Sequence, residues 1–342
     1  VPLPPTVDVP SFDMMERRDF LTGACLLSIG LIGASGCTAK SPNDDEKTML
    51  TIYSPAPPNN PMHTLNLLLA EAASEGTALA PMEIPPMALP QSINTVSGKP
   101  PEERSRYWPI VTTVDFAPAR LGAGPDWHGY PRPCPDLKFV SRLYDVGFGI
   151  ALWGEAVTGP DQLRGKRIAV PPRPSAVRLM TEVLLRDGWG IADEVTLIDM
   201  IPPQIAAARA AGDIDGTSWN LAVPGEGGHR PMLPADPNAP LHYAPVEAAA
   251  LARINAANPF TLSLSQLVEG APPLLSFAQA LAVWDESDGT QIGEMLEFIE
   301  ANGSNLPGFP KSVAEMASWP GLTSDAIHPI ARAFFKARGI EM

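Results

Sequence analysis

An α/β fold in two lobes is what this sequence predicts, and three observations carry it. The chain has 342 residues, more than one hydrophobic core usually serves. A strand, a loop and an amphipathic helix follow one another at 49–73 and again at 167–187. Between 160 and 221 strand and helix patterns alternate in the chain order of a parallel sheet, whose ligands bind beyond the carboxyl ends of the strands. No internal repeat is present.

Met49 to Tyr53 has the composition of a first strand, and 54–61 is a Pro/Asn loop. Residues 62–73 place Leu65, Leu68 and Leu69 on one helical stripe. From 77 to 135 prolines interrupt almost every candidate element, so loops are expected there with a strand at 109–114. Strands are expected at 139–143 and 146–153. Asp161 can cap a short helical turn that ends at Gly165 in the left-handed conformation, and 167–170 runs on as a buried strand. A loop at 171–175 leads into a helix over 176–187 with Val177, Met180, Val183 and Leu184 inward.

Next come a strand at 195–198, a helix at 203–211 with proline in its first turn and Gly212 past its end, and a strand at 216–221. Residues 222–245 read as a Gly/Pro/His-rich loop, 248–257 as a helix, 275–283 as a strand returning to the first lobe, and 291–301 as a helix. The chain closes with a helix over 324–338, its Ile327, Ile330, Phe334 and Phe335 inward and Gly339 as its stop.

Composition removes several functions. Hydrophobic residues at 45% and charged residues at 18% are ordinary globular values, while forty prolines demand many rigid loops. A formal charge of −14 without a clustered Lys/Arg surface argues against nucleic acid. The five histidines lack ligand spacing, so no metal or other cofactor is expected. No nucleophile elbow, dinucleotide fingerprint or phosphate loop occurs, so the chain reads as no enzyme, with no catalytic residues.

The N-terminal region reads as an address. Arg17 and Arg18 precede an apolar run over 21–32, shorter than the about 20 residues a membrane-spanning helix needs, and small residues then lead to Cys37. Arg17-Arg18-Asp19-Phe20-Leu21 resembles the twin-arginine (Tat) export motif. Ala34-Ser35-Gly36-Cys37 resembles a lipobox, which makes Cys37 the lipidation site; a plain secretory signal cut near Cys37 is the alternative. Residues 1–36 are therefore upstream sequence and signal peptide, and 37–47 a lipid-anchor linker. Of the three cysteines Cys134 alone would remain as a free thiol.

Three stretches resemble the TAXI-type solute receptors of TRAP (tripartite ATP-independent periplasmic) transporters, within the type II periplasmic-binding-protein superfamily. They are Asp161 to Val170, the helix ending Ala210-Ala211-Gly212-Asp213-Ile214-Asp215-Gly216, and Ile327-His328-Pro329-Ile330-Ala331 with Gly339-Ile340. The first is shared with ABC-type receptors, and the last is the better pointer to TAXI. The family's loop after the strand is glycine-rich, whereas here it is Pro171-Pro172-Arg173-Pro174-Ser175-Ala176, with Ser175 retained.

The resemblance implies a two-lobed type II periplasmic-binding fold with a ligand cleft between lobe 1 (48–153 plus 271–342) and lobe 2 (154–270). It implies an extracytoplasmic solute-binding protein, periplasmic or at the cell surface. Such a protein captures a small polar or anionic solute, an organic acid or amino acid, and delivers it to a TRAP-type membrane permease. An ABC-transporter receptor of the same fold, or an exported accessory or sensory protein, are the alternatives. Six residues are candidate ligand contacts. Ser175 stands where a strand gives way to a helix and can hold an anion or cap the helix. Arg173 can pair with a carboxylate. Trp219 and Asn220 end a strand, where an indole covers a ligand and an amide reads it. Ser54 and Asn59 follow the first strand.

Overall fold

A computed structural model describes residues 49–342, except Pro57, Asn59, Ala80, Pro81, Glu155, Asn220, Leu221, Glu226, Gly227 and 234–239. The signal peptide, linker and Cys37 expected from sequence lie outside the described residues, as do Asn59 and Asn220. No helix among the described residues is long and apolar enough to cross a membrane.

The chain opens with β1 (Leu50–Tyr53), whose Leu50 and Ile52 are buried, and α1 (Pro61–Gly76). Proline at its first position and the Asn60 carboxamide, which accepts from the Met62 N–H at 2.9 Å, start this helix. There follow β2 (Met82–Glu83), α2 (Leu89–Val96), the short α3 (Pro101–Arg104) and β3 (Tyr107–Thr112). The strand expected at 109–114 ends earlier: Thr113 begins α4 (Thr113–Leu121), which closes on Gly122 at φ +68°.

Two strands expected at 139–143 and 146–153 are instead one long β4 (Leu137–Phe148) and a short β5 (Ala151–Trp153). Beyond the turn at Pro160–Leu163 come β6 (Arg167–Val170), α5 (Ala176–Val183) with a π-helical extension over Leu184–Trp189, β7 (Thr196–Asp199) and α6 (Pro202–Ala210). Gly165 and Gly212 take the left-handed conformation at φ +71° and +74°, as the sequence requires. β8 is only Gly216–Thr217. The supposed loop 222–245 holds three short strands, β9 (Val223–Gly225), β10 (Gly228–Arg230) and β11 (Leu241–Tyr243).

α7 (Ala248–Ala257) packs on the π-helical turn and leads to β12 (Ser263–Ser265) and β13 (Leu274–Trp284). α8 (Gly289–Asn302), α9 (Val313–Ala317) and α10 (Pro329–Ala337) complete the chain. Ile330, expected inward on the last helix, is 37% exposed, because the helix begins at Pro329 and turns Ala331, Phe334 and Phe335 to the core instead.

The mixed α/β architecture has two main sheets. The first runs β12-β13-β3-β1-β2, with β4 on the other edge of β13. β1 pairs in parallel with β2 and β3, while β13 is antiparallel to β3, β4 and β12. The second runs β11-β5-β8-β6-β7, with β6 parallel to β7 and β8. β4 feeds directly into β5, so the chain passes from the first sheet to the second there and comes back through β12. Every residue of β13 is buried, which makes it the spine of the core. β9 and β10 form a separate hairpin.

Candidate functional site

Parallel strands leave their carboxyl-end loops on one side, and here five of those ends meet around one cavity of about 280 Å³. From the first sheet, β1 delivers Pro55 and Ala56, and β3 delivers Thr112 and Asp115. Across from them β6 delivers Pro171, Pro172 and the run from Pro174 to Val177, β7 delivers Ile201 and β8 delivers Trp219. The first turns of α1 and α2 (Asn60, Met62, Leu89), His128, and Phe277 and Gln279 of β13 complete the wall.

A second cavity of about 390 Å³ lies against α4 and the segment 319–326. It takes no wall from the second sheet's strands. The guanidinium of Arg120, which lines it, is spent on the carbonyls of Pro135 (2.6 Å) and Leu137 (2.7 Å) and on Asp325 (2.6 Å). The cavity between the sheets is therefore the candidate site.

Its most unusual feature is a carboxylate with no solvent access. Asp115, in the first turn of α4, is 0% exposed. One carboxylate oxygen lies 2.7 Å from His128 Nε2 and accepts from the Tyr130 hydroxyl at 2.7 Å; the other accepts from the Thr112 hydroxyl. Burial works against the charge, but His128, Thr112 and Tyr130 together outweigh it and hold the carboxyl below its ordinary range. Burial, then the adjacent Asp115 charge, raise the Tyr130 phenol well above its usual value. Because an ionised Asp115 only accepts, Nε2 of His128 carries a proton, and Nδ1 is the ring atom left over. Nδ1 is buried and has no hydrogen-bond partner among the described residues.

A polar relay joins the end of β1 to β4 and β13 through α1. The Tyr144 hydroxyl lies 2.8 Å from Asn66 Oδ1 and 2.7 Å from Gln279 Oε1, and Asn66 Nδ2 donates to Ser54 Oγ at 3.0 Å. Ser54 is thus turned into the core, 0% exposed, and also accepts from the Ala56 N–H at 3.4 Å. It holds the loop that reaches the cavity without itself lining it.

Ser175 and Trp219 line the cavity together. Ser175 is the N-cap of α5, yet its side chain makes no cap hydrogen bond, so its hydroxyl and the free N–H groups of the first turn are available to the cavity. Trp219 is fixed by its indole N–H, which donates to the Met200 carbonyl at 3.1 Å. Arg173 is placed differently. Its guanidinium pairs with Glu182 at 2.6 Å and lies over the Trp127 ring at 4.5 Å, while its neighbours Pro172 and Pro174 line the wall. The Arg173–Pro174 peptide is cis.

Asp115, His128, Tyr130 and Asn60 went unmarked in the sequence reading. The first three fall in the proline-interrupted stretch 77–135, where no residue spacing marks them. The motif residues Arg167 and Asp215 form a bidentate pair at 3.1 and 2.9 Å that anchors the start of β6 to the entry of β8. Cys134 is a free, buried thiol. No group of three or more potential metal ligands occurs among the described residues.

No protein-family model matches the sequence, and no curated protein does. Among solved structures the chain is similar to a protein of R. palustris with adipate: 16% identity over 82% of this chain and 98% of that one, at a TM-score of 0.48. It is also similar to a TctC solute binding protein from Polaromonas (12% identity, 84% and 96% covered, TM-score 0.42). A third is MatC from Rhodopseudomonas palustris with bound malate (9% identity, 75% and 86% covered, TM-score 0.46). These are likenesses of outline alone.

Proposed function

We propose that this chain is an extracytoplasmic solute-binding protein that holds a small solute in the cleft and delivers it to a membrane permease of the TRAP type. The observation that carries the reading is the cavity of about 280 Å³ whose walls come from both sheets. A site of this size, largely apolar with a few convergent polar groups, suits a small organic molecule. Walls from two sheets let ligand contacts favour closure about the connecting strands, which is how a receptor signals occupancy. Ser175 and Trp219 are proposed as ligand contacts, together with Asn59 and Asn220, which lie outside the described residues. Arg173 is proposed to act at the rim, and lobes near 48–153 plus 271–342 and 154–270 are proposed as the moving parts. Export and lipidation at Cys37 belong to the same proposal and rest on the sequence motifs.

Native mass spectrometry of the protein purified without denaturation tests it. One small molecule retained per chain, unchanged on prolonged incubation, supports a receptor. An empty chain with no thermal shift across carboxylate, amino-acid, amine and sugar libraries removes the reading, and conversion of a bound compound replaces it with an enzyme.

A further inference from the structure

We propose that His128, held by Asp115, is the anchor of the cleft and that it takes the single carboxylate of a solute whose remaining body is apolar, binding one proton with it. This deepens the solute-binding reading and rests on it. His128 lines the cavity at 3% exposure, with Nε2 committed to Asp115 and Nδ1 unpartnered among the described residues. An unpaired buried polar atom is costly, so a ligand atom is its natural partner. The N-terminus of α5 is an independent element on the opposite wall. Its first-turn N–H groups and the uncommitted Ser175 hydroxyl favour negative charge.

In the neutral ring Nδ1 is an acceptor, which a carboxylate cannot use. In the imidazolium it is an N–H donor with a full charge behind it, compensated by Asp115. A carboxylate is therefore bound by the imidazolium form, with the Nδ1 proton between them. The ionisable side chains lining the cavity, among the described residues, are Asp115 and His128; neither Lys nor Arg is among them. The surrounding charges are accounted for. Tyr130 donates to Asp115 and lies near Cys134. Arg173 stacks on Trp127, whose ring meets His128 at 5.5 Å, and is itself paired with Glu182. The contributions of α1, α2, β13 and α5 to the wall are uncharged. With no second cation, a second carboxylate would be buried without compensation. The rest of the solute meets Met62, Leu89, Val177, Ile201, Trp219 and Phe277.

Isothermal titration of the full chain with hexanoate, adipate and hexanamide decides it, run from pH 5.5 to 8.5 in two buffers of different ionisation enthalpy. Hexanoate and adipate share a chain length and differ in the second carboxylate; hexanamide keeps the shape without the charge. Expected are hexanoate affinity falling about tenfold per pH unit on the alkaline side, uptake approaching one proton per ligand, and adipate weaker by at least about tenfold. His128→Gln should abolish the pH dependence, and the wild-type proton count stands alone if that variant does not fold. Hexanoate binding without proton uptake, or preference for adipate or hexanamide, overturns the anchor role and leaves the receptor reading intact. If neither these probes nor the amine, amino-acid and sugar libraries bind, both fall together.

Discussion

The guanidinium carbon of Arg173 lies 4.5 Å from the centre of the Trp127 ring, and so joins the loop after β6 in the second sheet to a turn that follows α4 on the first. Such a contact forms only while the two sides of the cleft are near each other. A cation over an indole at a partly exposed site is worth about 0.5–1 kcal/mol. A double-mutant cycle of Arg173→Ala and Trp127→Leu, read by urea denaturation, is expected to return a coupling of that size. A coupling near zero would mean that the two side chains are neighbours without consequence.

Asp115 sets a second expectation. Asp115→Ala strands the Tyr130 and Thr112 hydroxyls and leaves His128 without its acceptor, all inside the core, and should cost about 3–5 kcal/mol in chemical denaturation at pH 7. The pH dependence has a definite sign. The folded pKa lies below the ordinary value of 3.8, so the stabilisation is complete above that value and is lost as pH falls through the folded pKa. The advantage of wild type over Asp115→Asn should therefore hold at pH 5 and shrink on acidification below about 3.8.

A third expectation concerns His328, whose Nδ1 accepts from the Ile330 N–H at 3.3 Å and so caps α10. Burial pushes its imidazole below the ordinary 6.5. Above that pH the ring is neutral in both folded and unfolded chains and its contribution is complete. As pH drops below 6.5 the unfolded chain takes up the proton first, and stability declines until the folded pKa is passed. His328→Asn keeps a cap without titrating, so melting temperatures between pH 7 and 5 should fall less steeply than in wild type. His328→Ala should lose about 1 kcal/mol at pH 7.

Gly216 supplies the fourth. A Cβ there would stand 2.3 Å from the Ala151 carbonyl oxygen, a backbone atom of the neighbouring strand. Since β8 joins β5 to β6, Gly216→Ala must push apart the middle of the second sheet. A loss of about 3 kcal/mol or more, or failure to accumulate as folded protein, is the expected result. Gly212→Ala makes a useful comparison: open space surrounds its Cβ position, so the penalty there is only that of φ +74°.

The second sheet was the more legible part of the chain. The start of β6 at Arg167 and its end at Val170 could be read directly, because Gly165 and the prolines at 171 and 172 bracket four residues of strand composition. α7 was equally clear. α5 began where its apolar spacing said, but its continuation as a π-helical turn leaves no periodic trace that a 3.6-residue pattern would reveal. β4 looked like two strands because Asp145 interrupts the apolar run; in the structure that residue pairs with Arg142 within a single strand whose ladder with β13 shifts register twice. In the site, Ser175 and Trp219 were findable from strand ends. Asp115 and His128 were not, since their significance lies in a contact across thirteen residues of proline-broken chain, and a lone acid and a lone histidine carry no spacing rule.

The long antiparallel pairing of β4 with β13 also dictates an order of assembly. Tyr144 pairs with Gln279, so the first sheet stays without its spine until the ribosome has passed that point. The second sheet needs nothing beyond β11, which ends at Tyr243. Chain closure over such a separation is slow, and an unpaired β4 offers a bare edge in the meantime. The sheet that begins the chain is therefore the last to be finished, and its nascent half must be shielded or kept extended until β13 arrives.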